Sequence, residues 1–152
     1  MSVEEKLKEL GITLPDVAPP VAAYIPAVQA DKMIYTAGQV ALLKGELKYK
    51  GRVGENLTVK QGYESARICA LNALAAVKGV AGSLDNIERI VRVAGFINSA
   101  DDFTDQAKVM NGASELMLEI FGEAGLHARS AIGVNTLPLG ASVEVELIVK
   151  LK

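Results

Sequence analysis

The segment from Thr58 to Gly79 constrains the fold of this chain more than any other part of the sequence. Thr58 and Gln61 have the spacing of a capping box, in which each side chain bonds the backbone N–H of the other residue. Behind this cap, apolar residues that include several alanines recur at helical spacing: Val59, Tyr63, Ala66, Ala70, Ala73, Leu74 and Val77. The pattern predicts a long helix whose small side chains let it pack closely on a sheet.

The rest of the chain alternates strand patterns with a second helix. Asp101 or Asp102 can cap this helix, which runs through Phe103 to Phe121 and ends at Gly122. Short connections, such as the turns at Asp31 and at residues 44–46, favour antiparallel pairing. Alternating, β-branched or aromatic patterns predict strands over residues 21–29, 32–37, 39–43, 87–97, 128–134 and 142–151. The order β-β-β-α-β-α-β-β predicts a two-layer α+β domain with two long helices packed on one sheet face.

The first twenty residues have a different character. Residues 3–10 predict a short amphipathic helix that Gly11 stops, and the Pro-rich stretch that ends in Pro19-Pro20 predicts an extended arm. We therefore expect an N-terminal helix and arm over residues 1–20 and an α+β domain over residues 21–152, with a single domain overall.

The strands carry apolar residues on both faces, although the helices cover only one. In the last strand, Val143, Val145, Leu147 and Val149 alternate with Glu144, Glu146 and Ile148. In the strand at 87–97, Ile87, Val91, Val93 and Ile97 alternate with Ile90, Ala94 and Phe96, so both faces should be partly covered. We therefore expect the open sheet face to meet another copy of the chain in a closed homo-oligomer.

Composition excludes several classes of protein. Half of the 152 residues are hydrophobic, which is more than a disordered chain carries. The net charge of −2 and the lack of a basic run argue against a nucleic-acid partner. One cysteine and one histidine permit no intramolecular disulfide and make a zinc site implausible. Without a signal peptide or a long apolar stretch, we expect a cytoplasmic protein that does not bind membranes.

Arg129 is the most informative candidate for chemistry. It is a lone cation in an otherwise uncharged strand, where it needs either an acidic partner or an anionic ligand. The spacing alone favours a cross-strand ion pair with the glutamates of the next strand, while the guanidinium fork would also suit a bound carboxylate. Cys69 in the long helix is predicted to be a small buried hydrophobe, and His127 is predicted to be a surface or turn residue.

One segment carries a family resemblance. Residues 128–149, ARSAIGVNTLPLGASVEVELIV, together with Met33–Gln39 and the helix start at Asp102-Phe103, resemble the Rid (reactive intermediate deaminase) family, also called YjgF and earlier endoribonuclease L-PSP. The resemblance extends from about Val21 to Leu151. It implies a chorismate-mutase-like fold and a homotrimer in which the sheets form a central barrel with three clefts between subunits.

The resemblance also implies roles for individual residues. Arg129 would hold the carboxylate of a 2-imino acid, and Glu144 would orient or activate the attacking water. The substrate-binding positions that it implies are Tyr24, Gly38, Asn111 and Ala131, the last through its backbone N–H and C=O. No metal or cofactor is expected.

These observations bear on three candidate functions. The first is an enamine/imine deaminase that hydrolyses reactive 2-imino acids of the 2-aminoacrylate type to 2-keto acids and ammonia. The second is a non-catalytic trimer that binds a small carboxylate metabolite such as a 2-keto acid. A ribonuclease fits poorly, because His127 is the only imidazole and the net charge is negative.

Overall fold

Helices α2 (Val59–Ala81) and α3 (Gln106–Phe121) form one layer of the protein. The computed structural model describes residues 1–17 and 23–152 of the chain. Its helices are α1 (Val3–Glu9), α2 (Val59–Ala81) and α3 (Gln106–Phe121). The predicted capping box is present at the start of α2: Thr58 Oγ1 accepts from the Gln61 N–H at 3.1 Å, and Gln61 Oε1 accepts from the Thr58 N–H at 2.9 Å. Helices α2 and α3 pack side by side on one face of a sheet.

The strands form a main sheet and a small hairpin. They are β1 (Ala27–Ala30), β2 (Met33–Thr36), β3 (Gln39–Val40), β4 (Leu42–Leu43), β5 (Glu46–Leu47), β6 (Ile87–Asn98), β7 (Ala128–Val134) and β8 (Val143–Leu151). The main sheet has the order β1-β2-β8-β6-β7, and β3 also pairs with β8. Strands β4 and β5 pair with each other across a turn at Lys44 and Gly45, which both have positive φ.

The predicted two-layer α+β architecture is confirmed, and β8 lies at its centre. Val143, Val145, Leu147 and Val149 are buried against the helices. Glu144, Glu146 and Ile148 alternate with them and therefore lie on the open face of the sheet.

Strand β6 departs from the simple alternation that the sequence predicted. Its pairing with β8 shifts between Ile87 and Arg89 and again between Ile90 and Arg92, so β6 has an extra residue at each place. Such bulges reverse which residues face the core. Ile87, Ile90 and Val93 are consequently all buried, although strict alternation placed Ile90 on the opposite face from the other two.

Two other expectations were wrong. Helix α3 begins at Gln106 rather than near Asp102, and its N-cap Asp105 makes no side-chain capping bond. The first strand begins at Ala27, directly after Pro26; the predicted strand residues 21–22 and the end of the predicted arm at 18–20 lie outside the described residues. Strand β7 runs parallel to β6, because α3 connects them as a crossover.

The predicted N-terminal helix is present and packs against the rest of the chain. Leu7 of α1 is buried in the core. Glu4 forms an ion pair with Lys78 of α2 at 3.0 Å, and the Val3 N–H donates to Asp85 Oδ1 at 2.6 Å. Within residues 1–17 and 23–152, no helix is both long and apolar enough to cross a membrane.

Two glycine-to-alanine substitutions test how closely α2 and α3 approach each other. A Cβ at Gly112 would lie 2.1 Å from the Tyr63 carbonyl oxygen, so the two helices would have to move apart. We expect Gly112→Ala to lower the free energy of unfolding by about 1–3 kcal/mol. Gly79→Ala is the matched control, since nothing lies within 4 Å of its Cβ position. It should raise stability by about 0.5–1 kcal/mol, because alanine is the better helix former.

Urea denaturation at one protein concentration measures both variants, with the midpoint compared at unchanged m-value. Equal effects from the two substitutions would contradict the close approach of the helices.

Candidate functional site

Arg129 lies on edge strand β7, on the face of the sheet that the helices cover. It pairs with Val93 of β6, and its Nη1 donates to two oxygens of α3, Asn111 Oδ1 at 2.9 Å and Ser114 Oγ at 3.1 Å. Both acceptors are neutral. Among the described residues, no carboxylate lies within ion-pair distance of Arg129. The Arg129 Nε and Nη2 atoms donate no hydrogen bond to any described residue. The half-buried guanidinium is therefore held in place without being neutralised.

Helix α3 supplies both acceptors because of their spacing. Asn111 and Ser114 are three residues apart and so lie on the same side of the helix. They form a polar strip beside the buried residues Met110, Ala113 and Met117. The structure thus brings together two of the predicted site residues, Arg129 and Asn111.

The sequence did not indicate Ser114 as a site residue, and it predicted only a surface or turn position for His127. The imidazole is half-buried, with Nε2 2.9 Å from Ser114 Oγ and Nδ1 2.6 Å from the Gly125 carbonyl oxygen. It is therefore linked to Arg129 through the serine, a connection that its position between helix and strand did not suggest. The available signals were the spacing of Asn111 and Ser114 and the placement of the only histidine two residues before Arg129.

Glu144 lies on the open face of the sheet, next to Gly38. Strand β3 pairs Val40 with Glu144, and a Cβ at Gly38 would lie 2.8 Å from Glu144 Cδ. Any larger residue at this position would make the Glu144 side chain shift. Partial burial raises the pKa of the Glu144 carboxyl, and the negative charge of Glu146 raises it further.

Arg129 and Glu144 do not meet within one chain, so the predicted cross-strand ion pair is wrong. Strand β6 lies between β7 and β8, and the two side chains are on opposite faces of the sheet. The register places Arg129 beside Val93 and Glu144 beside Phe96. The separation is thus about 10 Å along the strands and about 10 Å across them. Below, Arg129, Asn111 and Ala131 are called the arginine half-site, and Glu144 and Gly38 the glutamate half-site.

The remaining predicted residues have different positions. Ala131 follows Arg129 by two residues, shares its face of β7 and packs against the core. Tyr24 lies in an irregular segment before β1 with 54% of its surface exposed, and it joins neither half-site. Cys69 is fully buried, as predicted, and its thiol donates to the Val143 carbonyl at 3.3 Å. Burial raises the pKa of this thiol far above its usual range, which keeps it unreactive.

A cavity of about 660 Å³ lies apart from both charged groups. Residues 13–17 of the arm, residues 42–45 of the hairpin, Gln39 and Asn72 line it, whereas neither Arg129 nor Glu144 does. In the described ranges, no three His, Cys, Asp or Glu side chains come together as a metal site would need.

These features place the chain in a known family. A sequence model described as "YjgF/chorismate_mutase-like, putative endoribonuclease" matches residues 4–151, so the chain belongs to the YjgF family. The matched region includes most of α1. The chain is 41% identical over 150 residues to Protein TCP17 of Trypanosoma cruzi, which covers 98% of this chain and 94% of that protein.

Two further comparisons extend this result. The 2-iminobutanoate/2-iminopropanoate deaminase of Dermatophagoides farinae is 29% identical in sequence to this chain. The alignment covers 91% of this chain and 93% of the deaminase. This chain also resembles the crystal structure of the protein Atu1372 from Agrobacterium tumefaciens, which is described as having unknown function. The two structures superpose with a TM-score of 0.91 and 39% sequence identity, over 99% of this chain and 92% of Atu1372. The predicted chorismate-mutase-like fold is therefore confirmed.

Replacing Glu144 tests the effect of its burial. Because the pKa is higher in the folded chain than the unfolded value of 4.5, the folded chain binds the proton more tightly. Stability must then fall as pH rises from about that value through the folded pKa. We expect Glu144→Gln to be more stable than wild type at pH 7.5, by less than about 1 kcal/mol since water screens a half-buried group. The difference should vanish near pH 4.

Thermal unfolding between pH 4 and pH 8 measures this difference. Glu146→Gln is the matched control, because it removes the neighbouring charge but leaves Glu144 buried, and we expect it to gain less stability. A Glu144→Gln protein that is less stable than wild type at pH 7.5 would contradict the prediction.

Proposed function

We propose that this protein is a deaminase that hydrolyses small 2-imino acids, or their enamine tautomers, to 2-keto acids and ammonia. The observation that carries the proposal is the Arg129 guanidinium, which neutral oxygens hold through Nη1 while its Nε and Nη2 donate to no described residue. A planar fork of this kind matches a carboxylate. The deaminase relative from Dermatophagoides farinae supports the same reaction class.

The separation of the two half-sites supports a site shared between chains. In one chain, Arg129 and Glu144 project from opposite faces of the sheet and cannot touch one small molecule. In the proposed homotrimer, each cleft takes its arginine half-site from one subunit and its glutamate half-site from the neighbour. Tyr24 would line the same cleft.

The open face of the sheet supports such an assembly. Val28, Tyr35 and Ile132 on this face are 51%, 41% and 48% exposed. Ile148 and Phe96 extend the same apolar surface between them. Three copies that turn these faces inward would form the barrel and cover the surface.

The proposed reaction uses each half-site once. Arg129 binds the substrate carboxylate and so fixes the adjacent imine carbon. Glu144 takes a proton from water as the water oxygen bonds to that carbon, and it returns this proton to the imine nitrogen, which becomes an amine. Collapse of the tetrahedral adduct breaks the C–N bond, so one water and one imine give one keto acid and one ammonia. The raised pKa of Glu144 makes its carboxylate a stronger base.

A second function has one observation in its favour. A single chain holds the anion-binding group without a base beside it, which is what a non-catalytic carboxylate-binding protein needs. Saturable binding of a 2-keto acid without turnover of any imine would favour this function. A ribonuclease gains no such support: the net charge is −2, and the single histidine is bonded to Gly125 and Ser114.

Substituting Arg129 tests the deaminase. We expect Arg129→Lys to lower kcat/KM about 10- to 150-fold, because an ammonium cannot replace two charge-assisted hydrogen bonds of about 1.5–3 kcal/mol. Arg129→Ala should lower it further. Arg67→Lys is the control, since Arg67 pairs with Glu119 on the outer surface of the helices. The assay generates 2-iminobutyrate in situ with an amino-acid oxidase and subtracts spontaneous hydrolysis; equal rates for wild type and Arg129→Ala would exclude this function.

Mixing two inactive variants tests whether neighbouring chains share the site. Arg129→Ala and Glu144→Gln homotrimers should each lack activity. Trimers formed randomly from equal amounts of both would have about one cleft in four with both groups intact, so about a quarter of wild-type activity should return. Wild type carried through the same mixing gives the reference rate. No recovery would show that each site belongs to one chain.

A further inference from the structure

We infer that Ser114 and His127 are positioning residues that hold the Arg129 guanidinium in the orientation needed to bind a carboxylate. This role rests on the proposed function of Arg129 as the carboxylate-binding group. It concerns a chain of hydrogen bonds from the Gly125 carbonyl through His127 and Ser114 to Arg129, at 2.6, 2.9 and 3.1 Å.

The Gly125 carbonyl sets the direction of this chain. A carbonyl oxygen can only accept, so His127 Nδ1, 2.6 Å away, must carry a hydrogen. A neutral imidazole has one N–H, and Nε2 is then left as an acceptor. The only group that the structure places against Nε2 within the described residues is the Ser114 hydroxyl, which therefore donates to it.

This donation determines what Ser114 offers to Arg129. A serine hydroxyl has one hydrogen, and once His127 accepts it, only lone pairs remain on Oγ. Arg129 Nη1 donates to that oxygen. Without His127, the hydroxyl could instead turn back toward a carbonyl of its own helix, as serines in helices do, and its oxygen would no longer be fixed toward the guanidinium.

Both acceptors of Arg129 act on the same nitrogen. Asn111 Oδ1 and Ser114 Oγ each accept from Nη1, which leaves the Nε and Nη2 groups for a ligand. Neither acceptor is charged, so the pair fixes the side chain and preserves its charge. Fixing a flexible arginine before the ligand arrives reduces the entropy lost on binding.

The short turn at Gly125 positions His127 beside Ser114. Gly125 ends the short turn after α3, and a Cβ there would lie 2.2 Å from the Met117 carbonyl oxygen. Only glycine lets the turn pack so closely against α3. His127, two residues later, is thereby brought beside Ser114 on the same helix.

NMR of the free protein tests this positioning without any substrate. In wild type, the bonds to Nη1 should slow rotation of the guanidinium, so that Arg129 shows resolved Nη1 and Nη2 signals. Ser114→Ala and His127→Leu should each merge these signals, whereas Ser114→Thr, which keeps a hydroxyl, should keep them apart. His127 is the only histidine in the chain, so its ¹⁵N signals are unambiguous and should report the Nδ1–H tautomer. An Nε2–H tautomer, or Arg129 signals that are unchanged in Ser114→Ala, would overturn the inference.

Ligand binding provides the second measurement. We expect Ser114→Ala to raise KM for the imine, and Kd for 2-oxobutyrate, about fivefold while kcat changes less than twofold, because the lost hydrogen bond orients Arg129 but does not itself contact the ligand. His127→Gln, whose amide oxygen can accept in place of Nε2, should keep the wild-type KM, and His127→Leu should not. The double variant Ser114→Ala/His127→Leu should be no worse than Ser114→Ala alone, because both act through one chain of bonds.

The two measurements separate failure of this inference from failure of the proposed function. If wild type neither hydrolyses imines nor binds 2-oxobutyrate, the proposed function is wrong, and merged signals in Ser114→Ala would still support the positioning of Arg129. If wild type is active but the effects of the two substitutions simply add, the positioning role is wrong and the deaminase stands.

Discussion

The parallel pairing of β7 with β6 determines where Arg129, the proposed carboxylate-binding group, lies. Parallel neighbours need a crossover, and α3 supplies it. The same connection that makes β7 the edge of the sheet therefore also places α3 beside it. Because Arg129 pairs with Val93, its side chain points toward that helix and meets Asn111 and Ser114. The polar strip of α3 would have no charged group to hold if β7 had paired with β8 as a hairpin.

The same topology separates the Glu144 carboxylate from the Arg129 cation. Strand β8 occupies the other side of β6, and the alternation of its side chains directs Glu144 to the face that no helix covers. A hairpin of β7 and β8 would have allowed an arginine–glutamate pair, which would neutralise both groups and leave neither for a ligand. Two half-sites on opposite faces keep both charges available, but they can act on one small molecule only if two chains meet.

Local patterns in the sequence predicted much of the fold. The capping box at Thr58, the alternation along β8 and the turn glycines each depend on residues a few positions apart. Long-range features could not be predicted in this way. The bulges in β6 depend on how β8 lies against it, so Ile90 was assigned to the wrong face. Pairing of β7 with β6 rather than β8 depends on the whole chain, and for this reason the contact of Arg129 with Ser114 was missed, although the resemblance to the YjgF family indicated Arg129 itself.

The proposed homotrimer would both cover the exposed apolar face of the sheet and bring the two half-sites together. The open sheet face has exposed apolar side chains at Val28, Tyr35 and Ile132, which the proposed homotrimer would remove from water. Glu144 lies on that same face, so an assembly that buries the apolar residues also excludes water from around its carboxylate and raises its basicity further. In the proposed homotrimer, association driven by the hydrophobic effect would thus complete the site, because the contact that covers the sheet would also bring in the arginine half-site of a neighbour. A lone chain would leave the open sheet face exposed and the proposed site incomplete, and assembly would change both together.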